Sequence, residues 1–267
     1  MTPSAIRETA LRWRAAAQQA VVVEVLAARG SVPRDAGTRM LVAAHEVVGT
    51  IGGGHLELQA IQVARELLLN GGPPQERQVA LGPALGQCCG GVLSLRWSLL
   101  AAANPATWVT PTARFDLQLY GAGHVGRAIA RLLADIPCRV QWIDQREAEF
   151  PQGPLPPHIE QVCAEPVQAE VARAAPGTFY LVLTHSHRLD MEISRAILQR
   201  GDFGYFGLIG SQTKRARFEH RLAERGVPAD MLARMVCPIG IAGLRGKEPE
   251  VLAVSVVAQL LMQPAAT

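Results

Sequence analysis

The sequence predicts an α/β protein in two parts, and three observations carry that prediction. Short β-branched runs such as Ala20-Val21-Val22-Val23-Glu24-Val25-Leu26 alternate with segments of helical periodicity. A stretch from Asn104-Pro105 to Pro111-Thr112 has the composition of a linker and ends the first part near residue 108. Beyond it, Phe115, Leu117 and Leu119 lead into Gly121-Ala122-Gly123-His124-Val125-Gly126, and a helical pattern leaves it. Strand, glycine turn and helix in that order form a dinucleotide fingerprint. Residues 109–267 are therefore expected to form a Rossmann-like parallel-sheet domain, behind a smaller N-terminal α/β domain of residues 1–108.

In the first part, residues 4 to about 18 read as an amphipathic helix capped by Ser4. The strand from Ala20 ends in Gly30-Ser31-Val32-Pro33-Arg34-Asp35-Ala36-Gly37, where Gly, Ser, Pro and Asp oppose regular structure and Arg34 and Arg39 come close in sequence. Met40-Leu41-Val42 and Val47-Val48-Gly49 read as paired strands. Gly52-Gly53-Gly54-His55-Leu56-Glu57 then opens a helix to about Leu69, and its glycines form a nest of N–H groups suited to an anion. Gln78–Leu81 and Gly91–Leu100 are predicted strands, joined by the loop that carries Cys88-Cys89-Gly90-Gly91.

In the second part, Arg139-Val140-Gln141-Trp142-Ile143-Asp144 is the strand after the fingerprint helix, with Asp144 placed to accept from a ribose hydroxyl. Gly121 permits the tight turn, Gly123 a close approach to a pyrophosphate, and Gly126 close packing of helix on strand. Phe150 to Pro157 is too rich in proline for a helix or a central strand. A short helix over 166–174 and a strand over 179–184 follow. That strand delivers Thr184-His185-Ser186-His187-Arg188-Leu189-Asp190 to its C-terminal end, where α/β proteins bind ligands. His185, His187 and Asp190 are metal ligands by residue type, without the spacing of a zinc motif. A helix over 190–199, a strand over 204–210, a basic helix capped by Ser211 and a last helix from Pro249 to Leu261 complete the reading. The basic residues of the Ser211 helix read as a solvated face.

Composition narrows the function. The chain carries a formal charge of +3, with Lys and Arg scattered, so no nucleic-acid stripe is expected. No apolar run approaches a membrane span or a signal-peptide core, and a cytoplasmic protein is expected. Five cysteines without regular spacing fit a reducing compartment. Cys138, Cys163 and Cys237 read as buried thiols, whereas adjacent Cys88 and Cys89 lie among flexible residues.

Taken in order, these motifs resemble the xanthine dehydrogenase accessory family, XdhC/CoxI, nearly end to end. The residues that carry the likeness are 30–37, 52–57, Leu81 to Gly91, 121–126, 184–190, Gly207-Leu208-Ile209-Gly210-Ser211-Gln212-Thr213-Lys214-Arg215 and Cys237-Pro238-Ile239-Gly240. The resemblance implies a chaperone, without turnover of its own, that holds the molybdenum cofactor (molybdopterin) during sulfuration and inserts it into apo xanthine dehydrogenase. Its implied partners are the molybdenum subunit of that enzyme and an L-cysteine desulfurase; the apolar faces separately point to a homodimer. The family's cysteine–glycine motif maps onto Cys89-Gly90-Gly91, which assigns the metal contact to Cys89 with Cys88 beside it. Thiolates suit a soft metal, and Arg34 or the nest at Gly53 and Gly54 suits a phosphate. The family's pattern carries a basic residue where this chain has Gln212 and Thr213. The alternative from the residues alone is an NAD(P)-dependent oxidoreductase holding a nucleotide in the Rossmann site.

Overall fold

A computed structural model describes residues 2–82, 90–109, 112–244 and 246–264. The chain divides into two compact units, Met1–Pro111 and Thr112–Thr267.

The first unit is a five-stranded antiparallel sheet between two helices. Its strands are β1 (Ala20–Arg29), β2 (Arg39–Ala43), β3 (Val47–Gly49), β4 (Gln75–Ala80) and β5 (Val92–Leu99), in the order β3-β2-β1-β5-β4. One face, with Val21, Val23, Val25, Met40, Leu93 and Leu95, packs on α2 (Gly54–Asn70), and Trp97 of β5 donates its indole N–H to the Ala60 carbonyl at 2.9 Å. The other face carries Val22, Leu41 and Val48 against Ile6, Ala10 and Trp13 of α1 (Pro3–Ala15). Thr2, not Ser4, caps α1, because Pro3 sits at the first helical position, where its missing N–H costs nothing. Glu24 lies opposite Arg39 on β2 and Arg96 on β5 and pairs with both, while the Arg39 guanidinium stacks 4.8 Å from the Trp108 ring.

The second unit is a six-stranded parallel sheet. Its strands are β6 (Asp116–Tyr120), β7 (Arg139–Asp144), β8 (Ile159–Cys163), β9 (Phe179–Val182), β10 (Tyr205–Leu208) and β11 (Met235–Val236), ordered β11-β10-β9-β6-β7-β8. Chain direction across the sheet reverses between β6 and β9, the switch point at which such sheets bind ligands. Helices α3 (His124–Leu133) and α7 (Pro249–Leu261) cover one face. On the other lie α4 (His187–Arg200), α5 (Gln212–Ala223), the short α6 (Ala229–Ala233) and a 3-10 segment over Val167–Arg173. Helix α4 begins three residues earlier than its apolar periodicity suggests, because the Ser186 hydroxyl accepts from the Leu189 N–H and draws the chain into helix at once. Among the described residues no helix is long and apolar enough to cross a membrane.

Candidate functional site

In the first unit, three loops that are far apart in sequence meet at one corner. Gly91 packs so closely on the Arg29 and Ser31 carbonyls and on Val32 that a Cβ there would clash with all three. Its carbonyl accepts from the Leu81 N–H at 2.8 Å, and Gly30 lies against its Cα. Gly52, at φ +134°, lies against the Pro33 ring. The Gly-Ser-Val-Pro-Arg loop therefore lies against both the Gly52 turn and the Gly91 end of the cysteine loop. Arg34 is exposed here, whereas Arg39 is committed to Glu24. Cys88 and Cys89 lie outside the described residues.

The glycine nest takes an anion from its own helix. The Glu57 carboxylate accepts from the N–H groups of Ile51 and Gly53, both at 3.1 Å, and from the Thr50 hydroxyl. This is a side chain serving as the first-turn acid that the dipole and the orphan N–H groups favour. The Gly53 N–H, where a phosphate contact is expected, is thus partnered by Glu57. Glu57 carried the signal, as an acid placed three residues into the helix.

The fingerprint of the second unit has the expected strand–turn–helix geometry but an unexpected use of its acid. Gly121, at φ +118°, has the Leu183 carbonyl where a Cβ would go, and Gly126 has the Gly121 carbonyl. Gly123, by contrast, has open space above its Cα. Asp144, 5% exposed, accepts from the Ala122 N–H at 2.7 Å, from the Arg146 N–H at 3.0 Å, and from Nε and Nη2 of Arg146, both at 3.0 Å. An ionised carboxylate offers about four acceptor sites, and four donors fill them. Where a ribose contact is expected, Asp144 here braces the glycine turn. Arg146 also meets Glu149, which pairs with Arg127 on α3, so alternating charges tie the turn to the helix behind it.

Burial works to raise the Asp144 carboxyl, but the Arg146 guanidinium and the two backbone N–H groups outweigh it and hold the group below the usual aspartate range. A depressed folded-state value contributes stability above the unfolded value of about 3.9, and that stability is lost as pH falls from there through the lower folded value. Asp144→Asn should therefore destabilise the protein at neutral pH and flatten the acid limb of its stability profile. Thermal unfolding between neutral and acid pH measures this; an acid limb identical to the parent's would refute it.

A pocket of about 370 Å³ opens beyond the C-terminal ends of β9 and β10, lined by Thr184, His185, His187, Gly210, Ser211 and Lys214. The N-termini of α4 and α5 both face it, capped by Ser186 and by Ser211, whose hydroxyl accepts from the Lys214 N–H at 3.2 Å. Beneath them Lys214 turns inward: its ammonium donates to the Asp190 carboxylate at 2.6 Å and to the Ile209 carbonyl at 2.7 Å. The other Asp190 oxygen accepts from the Thr184 N–H at 3.1 Å and hydroxyl at 2.7 Å. Asp190 is thus spent on Lys214 and Thr184, while His185 and His187 are exposed. Among the described residues no group of three or more His, Cys, Asp or Glu is arranged to hold a metal. The inward turn of Lys214 was hidden because a lysine three residues past a helix cap ordinarily points to water. Its one sequence signal is Gly210, where any side chain would collide with the lysine stem.

Two thiols are buried as expected, with burial pushing Cys138 up to about 12 and raising Cys237 as well. Cys163 is a correction: it is exposed, because β8 is the edge strand of the sheet and Cys163 is its last residue.

These features define a class: a two-unit α/β protein whose second unit is a doubly wound sheet with a pocket at its C-terminal edge. Residues 117–260 match the family described as the XdhC Rossmann domain, and residues 13–78 match the XdhC and CoxI family. The chain belongs to the XdhC and CoxI family. It is also 31% identical over 251 residues to the Escherichia coli protein YqeB, described as uncharacterized, covering 90% of this chain and 42% of that one. The chain thus spans about two-fifths of the length of that relative. A solved structure described as a xanthine dehydrogenase from Bacillus halodurans superposes with a TM-score of 0.72 at 20% identity, over 98% of this chain and 95% of that one. At that identity the likeness is one of fold.

Proposed function

We propose that this protein is an accessory factor in the maturation of xanthine dehydrogenase, holding the molybdenum cofactor while a cysteine desulfurase acts and passing it to the apoenzyme. The observation that carries the reading is the family match, which runs through both units. The donor set fits a ligand with a phosphate and a polar ring system. In the second unit the open space over Gly123 admits an approaching group, and the nearby pocket offers two helix N-termini and two imidazoles. In the first unit Arg34 is exposed at the corner where Gly91 ends the cysteine loop, and its fork is shaped for a phosphate. Cys89, with Cys88 beside it, would supply thiolate to a soft metal. When bound, the cofactor supplies the molybdenum centre at which the mature enzyme works. This chain's residues bind and orient it.

The test is molybdenum and pterin content after incubation with the cofactor and gel filtration. The parent chain should retain cofactor stoichiometrically, and Cys88→Ala/Cys89→Ala should lose it. Gly123→Val makes a sharper probe, because its Cβ enters open space. Stability should fall by about 1 kcal/mol, the usual cost of a poor residue at a helix N-cap, while retention falls. No retention by the parent would overturn the reading, and full retention by Gly123→Val would remove the glycine turn from the site.

A further inference from the structure

Helix α5 and the residues just after it carry five cations: Lys214, Arg215, Arg217, Arg221 and Arg225. Lys214 pairs with Asp190 and Arg215 with Glu219, and Glu224 meets His220. The side chains of Arg217, Arg221 and Arg225 have no hydrogen bond or ion pair among the described residues, and all three residues are exposed. Their spacing of four places them in one row, about 6 Å apart along the axis. Like charges at that spacing repel, so the row costs the isolated chain something that an anionic partner would relieve.

The row forms one wall of a groove of about 520 Å³ between α4 and α5. Its floor is apolar, with Met191 at 6% and Phe218 at 5% exposure. Arg188 stands on the opposite wall beside Glu192. We propose that this groove docks an acidic amphipathic helix of a partner protein, with carboxylates four residues apart against the arginine row and apolar side chains on Met191 and Phe218. Three features favour that occupant. The charges form a line instead of converging on a point, which suits a series of carboxylates better than one phosphate. The apolar floor matches the second face of such a helix, as in other helix-in-groove recognition. Carboxylates at Glu192, Glu219 and Glu224 flank the row, which disfavours a uniformly anionic nucleic-acid backbone. The inference rests on the accessory-factor reading only for the existence of a protein partner.

The probe is a labelled alanine-based peptide with three glutamates four residues apart and leucines on the adjoining face. A peptide of the same composition with scrambled glutamates, a single-stranded DNA and inorganic polyphosphate serve as comparators. Anisotropy at low salt should show the full chain preferring the ordered peptide, with binding weakened by salt. R217E/R221E/R225E should weaken it about tenfold or more, and R217Q/R221Q/R225Q should do so without charge reversal. Both variants should keep the parent's circular dichroism and cofactor retention. Equal binding of ordered and scrambled peptides, tighter binding of DNA or polyphosphate, or peptide binding unchanged in the glutamine variant would overturn the proposal. A joint loss of peptide binding and cofactor retention would overturn it too, by assigning the row to the cofactor.

Discussion

Asp190→Ala is expected to destabilise the second unit by about 3–5 kcal/mol, the usual result of removing one partner from a buried ion pair. The Asp190 side chain is 2% exposed and that of Lys214 11%, so neither has water to fall back on. Without the carboxylate, the ammonium keeps the Ile209 carbonyl and the face of the Phe218 ring, neither of which carries a countercharge, and the Thr184 N–H and hydroxyl lose their shared acceptor. A drop of this size lowers Tm by roughly 10 °C in a domain of this length. The cause is separable from lost packing: Asp190→Leu combined with Lys214→Met should recover the part of the loss owed to the unpaired ammonium, because a buried pair replaced by apolar groups is often neutral, but not the part owed to Thr184, whose N–H and hydroxyl still lack their acceptor. Thermal unfolding of the parent, the single variant and the double variant measures both effects. A single variant as stable as the parent would show that the pair does not hold the loops after β9 and β10 together.

Gly126→Ala should cost about 3 kcal/mol, at the upper end of the range for overpacked sites. The atom a new Cβ would meet is the Gly121 carbonyl oxygen, part of a backbone that cannot rotate aside. That oxygen also accepts from the Trp142 indole N–H at 3.0 Å, so moving it disturbs β7 as well. Gly123→Ala, two residues past Gly121, should cost no more than about 1 kcal/mol, the penalty of alanine at a helix N-cap, since nothing lies within reach of its Cβ. The contrast divides the fingerprint by physical cause. Packing requires glycine at positions 121 and 126 and does not require it at position 123. Equal losses at 126 and 123 would erase that distinction.

Much of the fold was legible in local sequence. The last helix over Pro249–Leu261, the β2–β3 hairpin and the Ser211 cap of α5 follow from proline at a helix start, paired apolar runs and a capping hydroxyl. Elements without such local signals were not. The two-residue strand β11 and the short helix α6 are too brief to show a period, and the helix expected over 166–174 is present at Val167–Arg173 but as a 3-10 segment packed against α4. The site divides the same way: residue types at the loops after β9 and β10 were evident, but their pairings were not.

The sequence by itself determined the two-part α/β organisation, the glycine turn of the second unit and the family, because these depend on backbone freedom and on periods within a few residues. Only the tertiary structure decided which polar groups were already spoken for. Asp144 faces Ala122 and Arg146, Glu57 fills the nest at Ile51 and Gly53, and Lys214 meets Asp190 from 24 residues away. A buried charge must find its partner wherever the fold brings one, and sequence distance carries no record of that choice.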